Sequence, residues 1–339
     1  MGLDSVIEEA GGVRNRVQIW TIYGWVREPE TNDRPPHGYN LRRKMLDPLM
    51  RSAAADEAGV DLVLGAKVRE LTRSDSGRVD GVVAATADGT KRRFAATLVV
   101  GADGRHSKVA DLAGLPGKES PNQRFSCLAS YRNVLMPGDV PHQAWALQPD
   151  AAYALKNEDG ITVLAAMPGK ARLPEYAEDR EAALLRMFDG LSEAPDLSAA
   201  ERVSDVVGTL DYPSISRQRI AAPGVALIGD AAMVSDPLWG VGCGWGIQTA
   251  EWLSDSTAPA LKSGDTKAVD AAARRYGRQH KRRLPPISSC PSTSAAGGIS
   301  MRSSAFCSLA PPMTRGWPIA STGSGPATPR PSRCSVRAS

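Results

Sequence analysis

Two short apolar segments, each followed at once by glycine and aspartate, constrain the fold of this chain more than any other feature. The first is residues 98–104 (LVVGADG), and the second is residues 226–230 (ALIGD). A short, continuous apolar run that ends in turn residues is typical of a strand buried on both faces of a parallel sheet. Ligands of open α/β sheets bind beyond the carboxyl ends of such strands, so Asp103 and Asp230 are predicted to face a ligand. The alternative for the first segment is an ordinary strand that ends in an Asp-Gly turn.

The second segment leads into a loop that is unusually rich in glycine. Gly240, Gly242, Gly244 and Gly246 lie within seven residues, at the start of a predicted helix. Glycine destabilises a helix, which favours a role in which something approaches the backbone closely. The bare N–H groups of a helix start carry partial positive charge and suit a phosphate or an anionic ring edge. The alternative is a glycine-rich helix start that only packs closely against its neighbours.

The remaining patterns divide the chain. Asp47 and Pro48 resemble an N-cap followed by the first residue of a helix that ends at Gly59. Strands are predicted at residues 60–64, 67–72, 79–86 and 96–100. Residues 121–222 are rich in short predicted strands, with one helical stretch at 179–191, which indicates a sheet-rich domain inserted into an α/β domain. A further helix is predicted at residues 268–283.

Composition excludes several classes of protein. No run approaches the roughly 20 apolar residues that span a bilayer, so no membrane span is expected. The five cysteines and four histidines lack paired or metal-like spacing. We therefore expect no metal site and a cytoplasmic location. All 37 acidic residues lie in positions 1–270 beside 30 basic ones, and this net charge of −7 argues against nucleic-acid binding.

Residues 285–339 differ in texture from the rest of the chain. They contain 13 Ser, 9 Pro, no acidic residue and no apolar periodicity. Two interpretations are open: a disordered tail, or a frameshifted reading of the gene.

The two glycine–aspartate junctions resemble, in order and context, the DG and GD motifs of the class A flavoprotein monooxygenases, the p-hydroxybenzoate hydroxylase family. Residues 41–46 (LRRKML) resemble that family's Arg-x-x-Leu element. The resemblance spans about residues 1–283. It implies an α/β fold, with a Rossmann-like FAD-binding domain, incomplete at its N-terminus, and an inserted mixed β-sheet substrate domain. The expected divisions are 1–120 and 223–284 for the FAD-binding domain, 121–222 for the substrate domain and 285–339 for the tail.

The resemblance also implies roles for individual residues. Asp230, preceded by Gly229, would hold the ribityl chain of FAD. Asp103 and Gly104 would position the pyrophosphate and the nicotinamide donor, and Arg43 would contact the flavin. The residues expected beside the isoalloxazine ring or at the helix start that supports it are Pro237, Gly240, Gly242 and Gly244. Tyr153 and Tyr212 are pocket candidates by location alone, and no catalytic residue is assigned.

The implied reaction uses NAD(P)H and O2 to hydroxylate a small aromatic or polycyclic substrate, with the chemistry supplied mainly by FAD.

The sequence departs from the family pattern at its beginning. No Gly-x-Gly-x-x-Gly follows a starting strand, which suggests a late-starting gene model or a fragment. Ala110 and Met233 replace an Arg and a His of the motifs. The alternatives are a non-catalytic remnant, a prenyl-chain reductase, or a halogenase. The Trp-x-Trp-x-Ile-Pro run of halogenases is absent.

Overall fold

The computed structural model describes residues 3–16, 18–27, 38–138 and 140–284, so the tail predicted at 285–339 lies outside the described residues. Its first elements are α1 (Asp4–Glu9), β1 (Val13–Asn15), β2 (Gln18–Thr21), β3 (Gly24–Arg27), β4 (Gly38–Asn40), α2 (Arg43–Asp56), β5 (Lys67–Arg73), β6 (Val79–Ala85), β7 (Lys91–Ala95), β8 (Val99–Gly101) and α3 (Lys108–Leu112). The middle of the chain forms β9 (Gly117–Ser120), β10 (Ser126–Arg132), β11 (His142–Ala146), β12 (Ala151–Lys156), β13 (Thr162–Ala166), α4 (Leu173–Glu178), α5 (Arg180–Arg186), β14 (Glu201–Arg202), β15 (Val207–Thr209) and β16 (Ser214–Arg217). The last elements are β17 (Ala221–Ala222), β18 (Val225–Leu227), α6 (Gly229–Ala232), α7 (Gly242–Ser263) and α8 (Thr266–Arg283).

The strands of the two glycine–aspartate junctions are neighbours. β8 and β18 pair in parallel, with Val99 opposite Val225 and Gly101 opposite Leu227. The N–H of Ile228 continues the ladder by donating to the carbonyl of Gly101 at 3.0 Å. Because parallel strands end at the same edge of a sheet, the loops after both strands emerge side by side. The α/β fold class inferred from these junctions is confirmed.

The last two helices that the structure describes, α7 and α8, cover this strand pair. Trp252 of α7 and Tyr276 of α8 lie in one apolar core with Val225 and Leu227 of β18. The buried hydroxyl of Tyr276 donates to the carbonyl of Leu227 at 2.8 Å. α3, which follows β8, contributes Val109 to the same core. The two strands that end at the predicted ligand site are therefore held in a well-packed apolar core.

The larger sheet has eight strands and is mostly antiparallel. Its order is β14-β10-β13-β12-β11-β2-β3, with β15 also paired to β10, and β11 runs parallel to β2. α5 packs on one face of it, where Leu184 and Phe188 join a core with Trp145 and Tyr131. Two of its strands, β2 and β3, come from residues that were predicted to belong to the FAD-binding part. The chain thus enters this sheet before it builds β8.

Helix α2 corrects one local prediction. It begins at Arg43 rather than after Asp47, because the N–H groups of Met45 and Leu46 both donate to the carbonyl of Arg42. Asp47 is therefore not an N-cap, and Pro48 lies inside the helix. The carboxylate of Asp47 instead pairs with the guanidinium of Arg43, one turn earlier.

Two other predicted elements differ from the structure. Residues 60–64 form no strand, and the side chains of Val60, Leu62 and Leu64 are exposed. Within the described ranges no strand pairs with this segment, so its backbone has no ladder to join. The helix predicted at 179–191 begins as expected after Asp179, which caps it, but α5 ends at Arg186, where tight turns follow. The strands predicted at 67–72 and 79–86 are confirmed as β5 and β6.

An ion pair ties α8 to the strands beneath it. The guanidinium of Arg78 donates to both carboxylate oxygens of Asp270 at 3.0 Å, and the N–H of Gly224 donates to the same carboxylate at 2.9 Å. The two charged side chains are only 14% and 13% exposed. Removing one partner would leave the other charge poorly solvated.

We predict that Asp270→Ala lowers the free energy of unfolding by about 2–4 kcal/mol, because Arg78 and Gly224 both lose their acceptor. Urea denaturation followed by circular dichroism measures this change. Glu70→Ala is the control, since Glu70 pairs with Lys91 at 3.3 Å on the surface and such pairs contribute little. Equal stability of the two variants would contradict the prediction.

Candidate functional site

Three side chains meet where the loops after β8 and β18 come together. Asp230 follows β18, Arg105 lies in the loop after β8, and Tyr212 lies two residues before the start of β16. The carboxylate of Asp230 lies within electrostatic range of both Tyr212 and Arg105. The guanidinium carbon of Arg105 lies 3.9 Å from the centre of the Tyr212 ring, which is cation–π geometry.

The charges at this meeting point are partly shielded from water. Burial raises the pKa of the Asp230 carboxyl, while the nearby hydroxyl of Tyr212 and the charge of Arg105 act in the opposite direction. Burial also raises the pKa of the Tyr212 phenol, and the nearby carboxylate adds to that effect. Tyr212 therefore stays protonated at neutral pH.

Arg105 has unused hydrogen-bonding capacity. Its Nε atom is buried, and within the described residues it has no hydrogen-bond partner. A buried polar atom without a partner is uncommon and indicates a water, an ion or a ligand group at that position. Because a guanidinium donates in a planar fork, phosphate or carboxylate oxygens fit it best.

The start of α7 faces Asp230. A Cβ atom added to Gly242 would lie 3.9 Å from Oδ1 of Asp230, and one added to Gly240 or Gly244 would meet no protein atom within 4 Å. Gly240 also has a φ of +62°, which favours glycine. No side chain caps this helix start, so its N–H groups and partial positive charge face open space.

Gly229 brings the end of β18 close to α7. Its N–H donates to the hydroxyl of Thr249 at 2.9 Å, and a Cβ added to it would lie 3.5 Å from the Cα of Gly246. Its φ of +54° turns the chain sharply before Asp230. The two glycines thus allow the close approach of strand end and helix that sets the position of Asp230.

The loop that contains Pro237 is held by contacts with the larger sheet and with Arg124. Buried Asp236 lies 3.5 Å from the guanidinium of Arg124 and accepts from the N–H of Leu238 at 3.0 Å. The hydroxyl of Tyr153, in β12, donates to the carbonyl of Leu238. Burial is also the main cause that raises the pKa of Tyr153, with the charge of Asp236 second.

Asp103 is placed differently from the other predicted ligands. Its carboxylate accepts from the hydroxyl of Ser107 at 2.5 Å and from the N–H of Val109 at 3.1 Å. It therefore stabilises the start of α3, next to the N-cap Ser107. Gly104 has a φ of +79° and open space beside it, so the turn brings Arg105 to Tyr212.

Arg43 lies at the first turn of α2 and is largely exposed. Its guanidinium pairs with Asp47 at 2.5 Å and 2.8 Å, and this pairing holds the pKa of the Asp47 carboxyl below its usual range. Arg43 is also within electrostatic range of Cys243, at the start of α7, and Cys243 is within such range of Tyr212. Arg43 is thus on the side of the site where α7 begins.

Sequence patterns did not predict which residues of this site lie together, although Tyr212 was a pocket candidate by location. Arg105 and Tyr212 are 107 positions apart, and Arg124 and Asp236 are 112 apart, so no local spacing relates them. The one available signal was a cation next to the Asp-Gly turn. Thr249 was missed because a threonine inside a helix commonly bonds to the preceding turn, which it also does here.

The assembled residues fit an FAD molecule. Asp230 offers an acceptor for a sugar-type hydroxyl, Arg105 offers donors for phosphate oxygens, and the glycines of α7 leave space beside N–H groups. The unpaired, buried Nε of Arg105 and the open space beside the α7 glycines are the observations that support this fit. In the described ranges, no group of His, Cys, Asp and Glu could hold a metal ion, and no helix is long and apolar enough to cross a membrane.

Comparison with known proteins agrees with this chemistry. The model of the FAD binding domain family matches residues 1–282. Similar curated proteins include digeranylgeranylglycerophospholipid reductases of Methanopyrus kandleri (29% identical, 68% of this chain, 60% of the relative) and Methanothrix thermoacetophila (30% identical, 68% of this chain, 57% of the relative). This chain therefore spans about 60% of the length of the relatives that it matches.

Solved structures share the fold. The flavin-dependent brominase Bmp2 superposes with a TM-score of 0.67 at 19% identity, over 83% of this chain and 71% of the brominase. pqsL, a probable FAD-dependent monooxygenase from Pseudomonas aeruginosa, superposes with a TM-score of 0.65 at 19% identity, over 82% and 77% of the two chains. The chain belongs to the FAD binding domain family.

Proposed function

We propose that this protein uses FAD, NAD(P)H and O2 to hydroxylate a small aromatic or polycyclic molecule. FAD supplies the redox chemistry, by accepting a hydride from the nicotinamide donor and activating oxygen. The proposal rests mainly on one observation: an apolar face of the larger sheet lies next to the loop that leads into α7. The division into an FAD-binding part and a substrate-binding sheet is part of the same proposal.

The apolar face surrounds Tyr153. Residues that pair across neighbouring strands share one face of a sheet, and Tyr153 pairs with Ala144 on one side and Ala165 on the other. Ile19 lies next to Ala144 on the same row. Since the hydroxyl of Tyr153 reaches the carbonyl of Leu238, this face is turned toward the loop that begins at Pro237. Small apolar side chains there suit a flat, apolar substrate.

The chain's own residues would bind, orient and exclude water. Asp230 would accept a hydrogen bond from a ribityl hydroxyl, and the start of α7 would stabilise negative charge on the ring beside Gly242 and Gly244. Pro237 and Gly240 would border the ring, and Gly104 would let the nicotinamide donor approach the loop after β8. Arg43 would contact the flavin from α2. The larger sheet would close the other side.

A second candidate function is reduction of a prenyl chain. The curated relatives cited above carry the name of a lipid reductase, and the same apolar face would also suit a hydrocarbon chain. That reaction would reduce a carbon–carbon double bond with electrons that FAD would supply, and it would not consume O2. Oxygen dependence therefore separates the two candidates.

We predict that the purified chain, supplied with FAD, oxidises NAD(P)H faster when a suitable phenol or polycyclic aromatic is present. The product should carry one oxygen atom from isotopically labelled O2, as read by mass spectrometry. The parallel arm excludes oxygen and supplies a polyprenyl substrate. Saturated product formed without oxygen would support the reductase, and NAD(P)H oxidation unaffected by any substrate would contradict both.

The joint between the sheet and the loop gives a second prediction. Asp236→Ala leaves the buried guanidinium of Arg124 without its carboxylate and the N–H of Leu238 without its acceptor. We expect a loss of about 3 kcal/mol in the free energy of unfolding, together with weaker FAD binding as the loop at Pro237 loses its position. Thermal melts and fluorescence titration with FAD measure the two effects.

The matched control for that variant is Asp211→Ala. Asp211 pairs with Lys170 at 3.0 Å, but its side chain is 67% exposed, and exposed pairs contribute little. If Asp236→Ala and Asp211→Ala melt at the same temperature and bind FAD equally, the buried pair does not hold the loop.

A further inference from the structure

We propose that His142 determines which molecules bind the apolar face of the larger sheet, because its ring Nδ1 hydrogen-bonds a hydroxyl group of the substrate. His142 is the first residue of β11, the strand that also contributes Ala144 to that face. This inference rests on the proposed function, since it concerns the face that would hold the substrate. It adds one specific polar contact to a mostly apolar surface.

The strand register places His142 on the same face as Tyr153. β11 and β12 pair in continuous register, with Ala144 opposite Tyr153. Two residues earlier in β11, His142 lies opposite Leu155. Because alternate residues of a strand point to the same side, His142 shares the face of Ala144, whereas Trp145 points into the core beneath α5. His142 and Tyr153 are therefore diagonal neighbours, about 7–8 Å apart.

Two elements of the candidate site border this part of the face. At Tyr153, the side-chain hydroxyl donates to the carbonyl of Leu238, in the loop that leads into α7. At the end of β12, the side-chain amide of Asn40 donates to the carbonyl of Lys156 at 3.0 Å, and α2 begins three residues after Asn40. Along the direction of β12, His142 lies between these two contacts. It is thus placed between the loop before α7 and the segment before α2.

The ring of His142 has a polar atom without a partner. Its Nδ1 is buried, and among the described residues it has no hydrogen-bond partner. Such atoms are uncommon, because each one costs free energy unless a water or a ligand group satisfies it. The residue as a whole is only partly buried, so the ring is not sealed from a ligand that enters the face. A polar group of that ligand would satisfy Nδ1.

The protonation state of His142 favours a neutral polar group. Burial lowers the pKa of the His142 imidazole to about 4, so the ring is neutral at neutral pH. A neutral imidazole has one N–H donor and one acceptor nitrogen. It therefore suits a hydroxyl, which both donates and accepts, better than a carboxylate, which would favour a charged ring. A plain hydrocarbon chain would leave Nδ1 without a partner.

The test uses two probes of the same shape, para-cresol and para-xylene, which differ only in a hydroxyl that replaces a methyl group. Isothermal titration calorimetry of the full chain with FAD present measures both affinities, in wild type and in His142→Leu. The leucine has a similar volume but no ring nitrogen. We expect para-cresol to bind about three- to tenfold more weakly, the effect of one hydrogen bond. The affinity for para-xylene should change by less than about twofold, which also shows that the variant is folded.

Two further variants separate this contact from a structural effect. In His142→Asn the side-chain amide ends close to the position of Nδ1 and can donate or accept, so para-cresol should bind within about twofold of wild type. His280→Leu is the matched control. His280 is also buried, with an unpaired Nε2 and a pKa that burial lowers to about 4, but it lies in α8. This variant should bind both probes as wild type does.

The outcomes distinguish the inference from the function on which it rests. Unchanged para-cresol affinity in His142→Leu, equal losses for both probes, or a His142→Asn variant as weak as His142→Leu would each overturn the inference alone. In those cases the wild type still binds an aromatic molecule beside FAD, as the proposed function requires. A wild type that binds neither probe in the presence of FAD would overturn both.

Discussion

The parallel pairing of β8 with β18 is the interaction on which the rest of this structure depends. It brings together two strand ends that are more than 120 residues apart in sequence, and it places Arg105 beside Asp230. The register fixes where the two loops begin, because the N–H of Ile228 donates to the carbonyl of Gly101 directly before the turn at Gly229. The buried core of α7 and α8 beneath the pair keeps that register, since a slip would expose its apolar side chains.

The site also depends on contacts between the larger sheet and the loop that contains Asp236 and Leu238. Arg124, two residues before β10 of the larger sheet, reaches Asp236 in the loop beside the candidate site, and Tyr153 of that sheet reaches the carbonyl of Leu238. These are polar contacts in buried surroundings, where geometry is costly to change. These contacts from Arg124 and from the larger sheet therefore help to set the position of the loop. This coupling explains why a change far along the chain from Asp230 should still affect what binds there.

Local sequence patterns predicted the parts of the fold that local physics decides. The apolar runs before Gly101 and Gly229 were recognised as strands because their pattern is continuous. β18 is buried as predicted, but β8 is shorter than predicted and its Val100 is 41% exposed. The glycines at the start of α7 pointed to a helix start with open space. Asp47 was assigned wrongly as an N-cap, because the bonds from Met45 and Leu46 to Arg42 start the helix one turn earlier. Residues 60–64 have the composition of a strand, but a strand also needs a neighbour. Tyr212 could be named only by location, since its contacts join residues distant in sequence.

The absorption spectrum of the purified chain, recorded after mixing with FAD and desalting, tests the central claim most directly. The claim is that the residues gathered at the ends of β8 and β18 and the start of α7 are sufficient to hold a flavin. The account predicts a yellow protein with a shifted, resolved flavin spectrum that survives desalting, and loss of that spectrum in Asp230→Ala. A colourless wild-type protein that is folded by circular dichroism would contradict it.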